Sequence, residues 1–189
     1  MTDEKTPISS FEDYIDTQLF SSGIQFLCGD IDSDSVSSVI KWLIFENLKE
    51  DTTPLTLYIN SEGGSLQDAF ALIDIMKKSE RVVRTIGIGS VISAGFLIFI
   101  SGTRGHRIIS NNASIMCHQF SDYYEGKYHD LKSIGKENEL ANNRMANLIS
   151  SCCDLKPNSV KSKLLSPTDM WLKADEIIKL GLADRLYEQ

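Results

Sequence analysis

The sequence predicts a single α/β domain built from parallel βαβ units. Its 189 residues suit one domain, which at this size buries about 70% of the surface that the unfolded chain exposes. With 42% hydrophobic and 24% charged residues, the composition is that of a globular protein. Apolar runs of strand length alternate with segments of helical periodicity, and this alternation is typical of a parallel sheet covered by helices.

The first half of the chain contains two strand–turn–helix units. Before them, Asp32 or Ser33 caps a helix whose predicted apolar face consists of Val36, Val39, Ile40, Leu43 and Ile44. The first unit has a strand at Leu55–Asn60, a turn at Ser61–Gly64 and a helix with apolar Leu66, Ala69, Phe70, Ile73 and Met76. The second has a strand at Val82–Ile88, a turn at Gly89–Ser93 and a buried helix at Ala94–Ile100, followed by short strands near Arg107–Ile109 and Ser114–Cys117.

The second half contains a long polar helix, predicted at Tyr128–Ile149. Its narrow apolar stripe consists of Leu131, Ile134, Met145, Leu148 and Ile149. The stripe fits either a surface helix packed on its own core or a protruding helix that packs against another subunit. A last helix is predicted at Lys173–Leu180, with Gly181 as its C-terminal cap.

Bulk properties exclude several classes of protein. The net charge of −7 gives no basic surface for nucleic acid, and the longest apolar run, Val91–Ile100, is too short for the ~20 residues of a membrane span. The polar first residues lack the pattern of a secretory signal. Four cysteines without CxxC spacing are expected to be reduced and mostly buried, which favours a cytoplasmic protein. Because no metal-ligand spacing, Walker loop or GxGxxG motif occurs, no cofactor is expected.

Ser93 is a candidate nucleophile because it stands where a predicted strand gives way to an apolar helix. At that position its hydroxyl would lie beside free backbone N–H donors. The G-x-S-x-G elbow is absent, since position 91 is Val. A plain helix-capping serine is therefore the alternative interpretation, and Ser90 is the local rival.

A serine nucleophile needs a base, and the chain has three histidines, His106, His118 and His129. His118 follows a predicted strand and so lies at a strand end, as Ser93 does. A Cys117–His118 dyad is disfavoured because consecutive strand residues point to opposite faces. The pattern alone leaves the acidic partner of the histidine open.

Several short motifs resemble, in order and separation, the proteolytic subunit of the Clp protease. They are Phe26–Gly29 (F-L-x-G in the family), Tyr58–Gly64 (Y-I-N-S-P-G-G), Ser93–Gly95 (S-M-G), Met116–Gln119 (M-I-H-Q) and Asp169–Leu172 (D-x-F/W-L). The resemblance runs from about Tyr14 to the C-terminus. It implies a crotonase-like α/β spiral with a protruding strand–helix handle at about residues 120–150, in a single domain over residues 1–189 that opens with an N-terminal segment at residues 1–13.

The resemblance implies a serine endopeptidase that cleaves unfolded polypeptides and short peptides inside a ring chamber. Ser93 would form the acyl-enzyme, His118 would be the general base, and Asp169 would orient the imidazole. The backbone N–H groups of Gly64 and Ala94 would form the oxyanion hole.

The resemblance also implies partners. Subunits of the family form a homo-oligomer of heptameric rings, paired into a double ring, and a partner Clp-type ATPase alone uses ATP. Three residues depart from the family pattern: Glu62 and Phe120 replace prolines beside the peptide groove, and Thr168 replaces an arginine of the contacts between rings.

The surface on which the ATPase docks in this family also differs. Tyr58 keeps one aromatic position, whereas Thr56 and Lys78 replace two others. We therefore expect a divergent ATPase, a co-assembling second peptidase subunit that supplies the pocket, or no ATPase.

Two other functions fit the same fold. An acyl-CoA-processing enzyme of the crotonase type would reuse the oxyanion hole without a triad, and an inactive ring subunit would act as a scaffold. The presence of serine, histidine and aspartate at all three triad positions argues against both.

Overall fold

Helices and strands alternate along the chain in the computed structural model, which describes residues 10–121 and 123–188. The helices are α1 (Phe11–Ser21), α2 (Ser33–Asn47), α3 (Leu66–Lys78), α4 (Ala94–Ile100), α5 (Tyr128–Cys152), α6 (Pro157–Lys163) and α7 (Ala174–Lys179). The strands are β1 (Ile24–Ile31), β2 (Leu55–Gly64), β3 (Val83–Ile92), β4 (Arg107–Ile109), β5 (Ser114–Cys117), β6 (Met170–Leu172) and β7 (Arg185–Leu186). The α/β class and the predicted order of elements are confirmed.

The strands form one mixed sheet in which β1, β2, β3, β4 and β7 lie side by side and parallel. The far end of β3 leaves β4 and pairs instead with β5, and β6 pairs antiparallel with β5. Ser93 directly follows β3, and His118 directly follows β5. Because parallel neighbours end at the same edge of a sheet, this pairing brings both residues to one edge.

Two strands run farther than the sequence predicted. β2 continues to Gly64 and β3 to Ile92, so the predicted turns at Ser61–Gly64 and Gly89–Ser93 are wrong. Each strand continues because it pairs again after a shift of register: Gly63 and Gly64 pair with β1, and the end of β3 pairs with β5. The glycines therefore form bulged strand ends, which remain fixed by neighbouring strands.

The core joins β2 to α2 and α3. Alternate residues of β2, Leu55, Leu57 and Ile59, are fully buried with the apolar faces of these two helices. In α2, Trp42 is buried although the predicted apolar face did not include it, and Ile44, which that face did include, is 49% exposed. The predicted face is therefore wrong at these two residues. The large apolar area of the tryptophan turns that side of the helix inward.

Helix α5 has two different halves. Its C-terminal half buries Met145, Leu148 and Ile149 in the core, as a surface helix packed on its own domain would. In its N-terminal half, Tyr128 and Leu131 are 72% and 43% exposed. Packing on the chain's own core is therefore confirmed for the C-terminal half, and packing of the N-terminal half against another subunit stays a prediction.

The ends of the predicted segments are described only in part. The predicted N-terminal segment, residues 1–13, lies mostly outside the described residues, and Ser10 caps α1, which begins at Phe11. In the handle, α5 supplies the helix, and the described residues 118–121 and 123–127 form no strand. Gly181 follows α7 with a φ of 71°, as its predicted capping role requires.

In the described part of the chain, no helix has the length and apolarity to cross a membrane.

Candidate active site

The backbone of Ser93 has an unusual conformation. Its φ of 55° and ψ of −120° make it the one non-glycine residue with a positive φ in the described part of the chain. Such a conformation costs about 1–3 kcal/mol and persists only where the surroundings enforce it. Here the Ser93 N–H donates to the Met116 carbonyl at 3.0 Å, and its own carbonyl accepts from the Leu97 N–H at 3.2 Å. The sharp strand-to-helix turn therefore presents the serine hydroxyl away from the helix.

The hydroxyl of Ser93 pairs with a histidine. His118 Nε2 lies 2.7 Å from Ser93 Oγ, a hydrogen-bond distance at which the imidazole can accept the hydroxyl proton. The hydroxyl makes no capping bond to α4, so the alternative interpretation as a plain helix cap is wrong. Both side chains are half-buried, which leaves them accessible to a substrate.

The rival residues do not form such a pair. Ser90 lies within the ladder to β5, and its N–H donates to Asn60 Oδ1 at 2.9 Å. His106 lies in the turn before β4, and His129 is exposed on α5 against the ring of Tyr128. Neither histidine shares a hydrogen bond with a described serine.

The thiol of Cys117 is unsuited to nucleophilic attack. Cys117 is 1% exposed, and burial raises its pKa to about 12. The thiolate, which is the reactive form, is therefore scarce at neutral pH. The other cysteines are also unpaired: Cys153 is buried, Cys152 is half-buried and Cys28 is exposed.

The glycine pair of β2 lies directly against the nucleophile. Gly63 has a φ of 107°, and a Cβ atom there would stand 2.7 Å from Ser93 Cβ, so only glycine permits this approach. The Gly63 N–H donates to Ser61 Oγ at 3.0 Å, which fixes the bulge. Gly64 follows with a φ of 144° and lines the same pocket as Ser93.

A pocket of about 110 Å³ opens beside the serine–histidine pair. It is lined by Gly64, Leu66, Ser93, Ala94, Leu97, His118, Gln119, Phe120, Ser121 and Met145. Ala94 is the first residue of α4, so its N–H has no partner within the helix, and no other described residue accepts from it. Both predicted oxyanion donors, Gly64 and Ala94, thus border the cavity that holds the nucleophile.

The third predicted triad residue, Asp169, forms no hydrogen bond with His118 in the structure. Cys117 pairs with Met170 in the β5–β6 ladder, so Asp169 stands opposite His118 one step beyond the last pair. The Asp169 side chain is exposed, and no described residue forms a hydrogen bond or ion pair with it. Its role in the site therefore stays a prediction.

Several residues that hold the site in place were missed at the level of sequence. Asn60 and Ser61 fix the two bulged strand ends, as described above, and Gln119 Nε2 donates to the Leu165 carbonyl at 2.8 Å. From α5, Asn142 Oδ1 accepts from the Phe120 N–H at 3.0 Å. Asn60 and Ser61 belong to the quoted motif, but nothing in a sequence indicates which backbone N–H such side chains accept. No group of three or more potential metal ligands occurs among the described residues.

A serine at a strand-to-helix turn, within hydrogen-bond distance of a histidine and beside a cavity bordered by Gly64 and Ala94, is an arrangement typical of a serine hydrolase. A sequence profile described as Clp protease matches residues 9–189, which is nearly the whole chain. The chain therefore belongs to the Clp protease family and is a ClpP-type peptidase by kind.

A curated relative agrees with this assignment. The chain is 27% identical over 183 residues to the ATP-dependent Clp protease proteolytic subunit 1 of Streptomyces avermitilis. The match covers 97% of this chain and 83% of the relative.

Proposed function

We propose that this chain is an active serine endopeptidase that cleaves unfolded polypeptides and short peptides through an acyl-enzyme on Ser93. The observation that carries the proposal is the 2.7 Å distance between Ser93 Oγ and His118 Nε2 at a backbone conformation that only strong local constraint maintains. The match to the Clp protease family supports the same chemistry.

The reaction follows from the positions of these groups. Ser93 Oγ attacks the scissile carbonyl carbon while His118 Nε2 takes the hydroxyl proton, and the carbonyl oxygen becomes an oxyanion beside the N–H groups of Gly64 and Ala94. The C–N bond then breaks as His118 gives its proton to the departing amine. Water, deprotonated by the same imidazole, attacks the ester carbonyl and releases the acid product and free Ser93.

Labelling with a fluorophosphonate probe tests the nucleophile. We expect the adduct on Ser93 after peptide mapping, because the neighbouring imidazole makes this hydroxyl the most nucleophilic in the chain. Ser93→Ala should lower turnover of fluorogenic peptides by about 10⁶-fold, as in a well-studied serine protease. Ser90→Ala is the matched control and should cleave at the wild-type rate. An adduct on Ser90, or full activity in Ser93→Ala, would contradict the proposal.

The proposed enzyme acts as a cytoplasmic homo-oligomer of heptameric rings. The exposed N-terminal half of α5 and the four unpaired thiols support this assembly and location. The relative from Streptomyces avermitilis is named ATP-dependent, and we extend to this chain only the proposal that a partner ATPase delivers substrates. No cofactor of the chain's own enters the proposed chemistry.

The surface proposed for that ATPase contains both kept and changed residues. Tyr58 stacks on Phe26 with ring centroids 5.1 Å apart, which maintains an aromatic patch. Thr56, by contrast, is buried, and its hydroxyl lies 3.4 Å from Arg84 Nη1. Lys78 is exposed at the end of α3. Such a surface favours a divergent ATPase or a second peptidase subunit that supplies the missing aromatic groups.

An inactive scaffold subunit is the second candidate, and the unbonded carboxylate of Asp169 is the observation that favours it. A scaffold would assemble normally but would neither react with the probe nor cleave peptides. The labelling experiment therefore separates the two functions. An acyl-CoA enzyme has no observation in its favour, since its chemistry does not require the bond between Ser93 and His118.

A further inference from the structure

The cavity beside Ser93 is lined by both apolar and polar residues, and its apolar side suits an aliphatic group. Leu66, Leu97 and Met145 are 6%, 1% and 4% exposed, and no charged side chain in the described part of the chain lines the cavity. In the acyl-enzyme, the residue that donates the acyl group (P1) has its side chain on the Cα that is next to the carbon bonded to Ser93 Oγ. Given the proposed function, this cavity is where the P1 side chain enters.

The volume of the cavity limits what fits. It measures about 110 Å³, whereas an apolar cavity of about 150 Å³ in another protein accommodates a benzene ring. At about 30 Å³ of liquid volume per water-sized group, the cavity has room for three or four heavy atoms. That number matches the side chain of leucine or methionine and falls short of a phenyl ring.

Phe120 lines the cavity, and its backbone is anchored. The Phe120 N–H donates to Asn142 Oδ1 on α5 at 3.0 Å, and within α5 Asn142 Nδ2 donates to the Asn138 carbonyl at 3.0 Å. The preceding residue, Gln119, is bonded to the Leu165 carbonyl. Proline has no backbone N–H, so a proline at position 120 could not donate this hydrogen bond. The anchor therefore requires a residue other than proline at this position.

We propose that Phe120, anchored by Asn142, restricts the P1 residue of the substrate to aliphatic side chains up to the size of leucine or methionine and excludes aromatic ones. Phe120 thus determines specificity, and Asn142 is a positioning residue that acts through it. This inference rests on the proposed function, because it concerns the acyl side of the bond that Ser93 attacks.

Cleavage of short fluorogenic peptides that differ only at P1 tests the inference. The peptides carry Ala, Leu, Met, Phe or Tyr at P1. For the wild type we expect kcat/KM with Leu or Met at P1 to be at least about tenfold higher than with Phe or Tyr. Tenfold is the lower end of the discrimination that a misfit in an apolar pocket produces. Phe120→Ala should raise kcat/KM for Phe and Tyr by about tenfold and lower it for Leu. Asn142→Ala should change the ratio in the same direction by a smaller factor. Phe11→Ala, at a side chain that is 76% exposed on α1, is the control and should leave the ratio unchanged.

The outcomes separate this inference from the proposed function. Peptide cleavage with equal efficiency for Leu and Phe at P1 in the wild type overturns the role of Phe120 and leaves the peptidase intact. The wild type could instead prefer Leu at P1 while Phe120→Ala, Phe120→Leu and Asn142→Ala all keep the same preference. That result would also overturn the role of Phe120. Absence of both cleavage and labelling at Ser93 overturns the proposed function, and this inference falls with it.

Discussion

Asp169 lies one step beyond the β5–β6 ladder, where no pairing fixes its backbone. The neighbouring loop is held by a short local bond, from Ser166 Oγ to the Thr168 carbonyl at 2.8 Å. Because the antiparallel register places Asp169 opposite His118, its carboxylate is the predicted acidic partner of the imidazole.

We predict that Asp169→Asn lowers kcat by about 10⁴-fold with little change in KM, the effect of removing the acid from a standard triad. The reason is that the amide can no longer stabilise the imidazolium formed when Ser93 is deprotonated. Steady-state kinetics on one fluorogenic peptide measure this, with Asp154→Asn as control because that carboxylate is 85% exposed and does not line the cavity beside Ser93. If Asp169→Asn keeps more than a tenth of the wild-type kcat, Ser93 and His118 act as a dyad.

Residue-level reasoning could place Ser93 and His118, the candidate nucleophile and base, at strand ends, because strand ends can be recognised from apolar patterns. It could not find the strain at Ser93, since a positive φ results from bonds to Met116 and Leu97 that only the folded chain brings together. The anchor of Phe120 was hidden for the same reason. Asn142 is 22 positions away, on a helix whose polar residues all look alike in the sequence.

At the scale of elements, an ion pair between a buried arginine and a half-buried aspartate connects four of them. Arg107, at the start of β4, is 1% exposed and binds Asp184 through Nη2 at 2.7 Å and Nε at 3.0 Å. The same guanidinium donates to the carbonyls of Cys152, Gly181 and Ile100, at the ends of α5, α7 and α4. Burial alone would raise the pKa of Asp184, but hydrogen bonds and charge from Arg107 outweigh it and lower the pKa.

We predict that Asp184→Asn lowers the free energy of unfolding by about 3 kcal/mol or more at pH 7, the usual result of leaving one partner of a buried pair alone. Because the folded pKa of Asp184 is depressed, its contribution is complete above the unfolded value near ~3.9 and is lost as pH falls below that value toward the folded pKa. The stability difference between wild type and variant should therefore shrink below about pH 4.

Urea denaturation from pH 7 downward measures this difference. Asp175→Asn is the matched control: its carboxylate also has a lowered pKa, from a hydrogen bond to Lys179, but both side chains are more than half exposed. Exposed pairs contribute little to stability. A loss in Asp175→Asn as large as that in Asp184→Asn would contradict the explanation by burial.

The elements themselves were largely predictable because helical and strand periodicities differ, and the errors have physical causes. Glycine-rich segments predicted as turns are strand ends, since glycine serves a bulge as well as a turn and only the neighbouring strand decides between them. In α2, the buried face is rotated toward Trp42, which leaves Ile44 outside it, and spacing alone does not decide between these two sides.

At the scale of the whole molecule, the first turn of α5 exposes two apolar side chains on one side of the helix. Tyr128 and Leu131, three positions apart, are 72% and 43% exposed on a helix that is otherwise polar there. Burying one such side chain contributes roughly 1.5–3 kcal/mol. In a symmetric assembly the same contact recurs at every subunit, so a modest gain per contact becomes decisive for the complete ring.

We predict that native mass spectrometry of the wild type detects assemblies of seven or fourteen subunits and that Leu131→Asp removes the fourteen-subunit species. The introduced carboxylate would have to be buried without a partner where two helices pack, which is costly. Leu48→Asp is the matched control, because Leu48 is a 79% exposed leucine at the end of α2, and it should assemble as the wild type does. A wild type that stops at seven subunits would instead implicate Thr168, which stands where the family has an arginine between rings. A monomeric wild type that still cleaves peptides would contradict the assembly altogether, because the proposed chamber requires a closed ring.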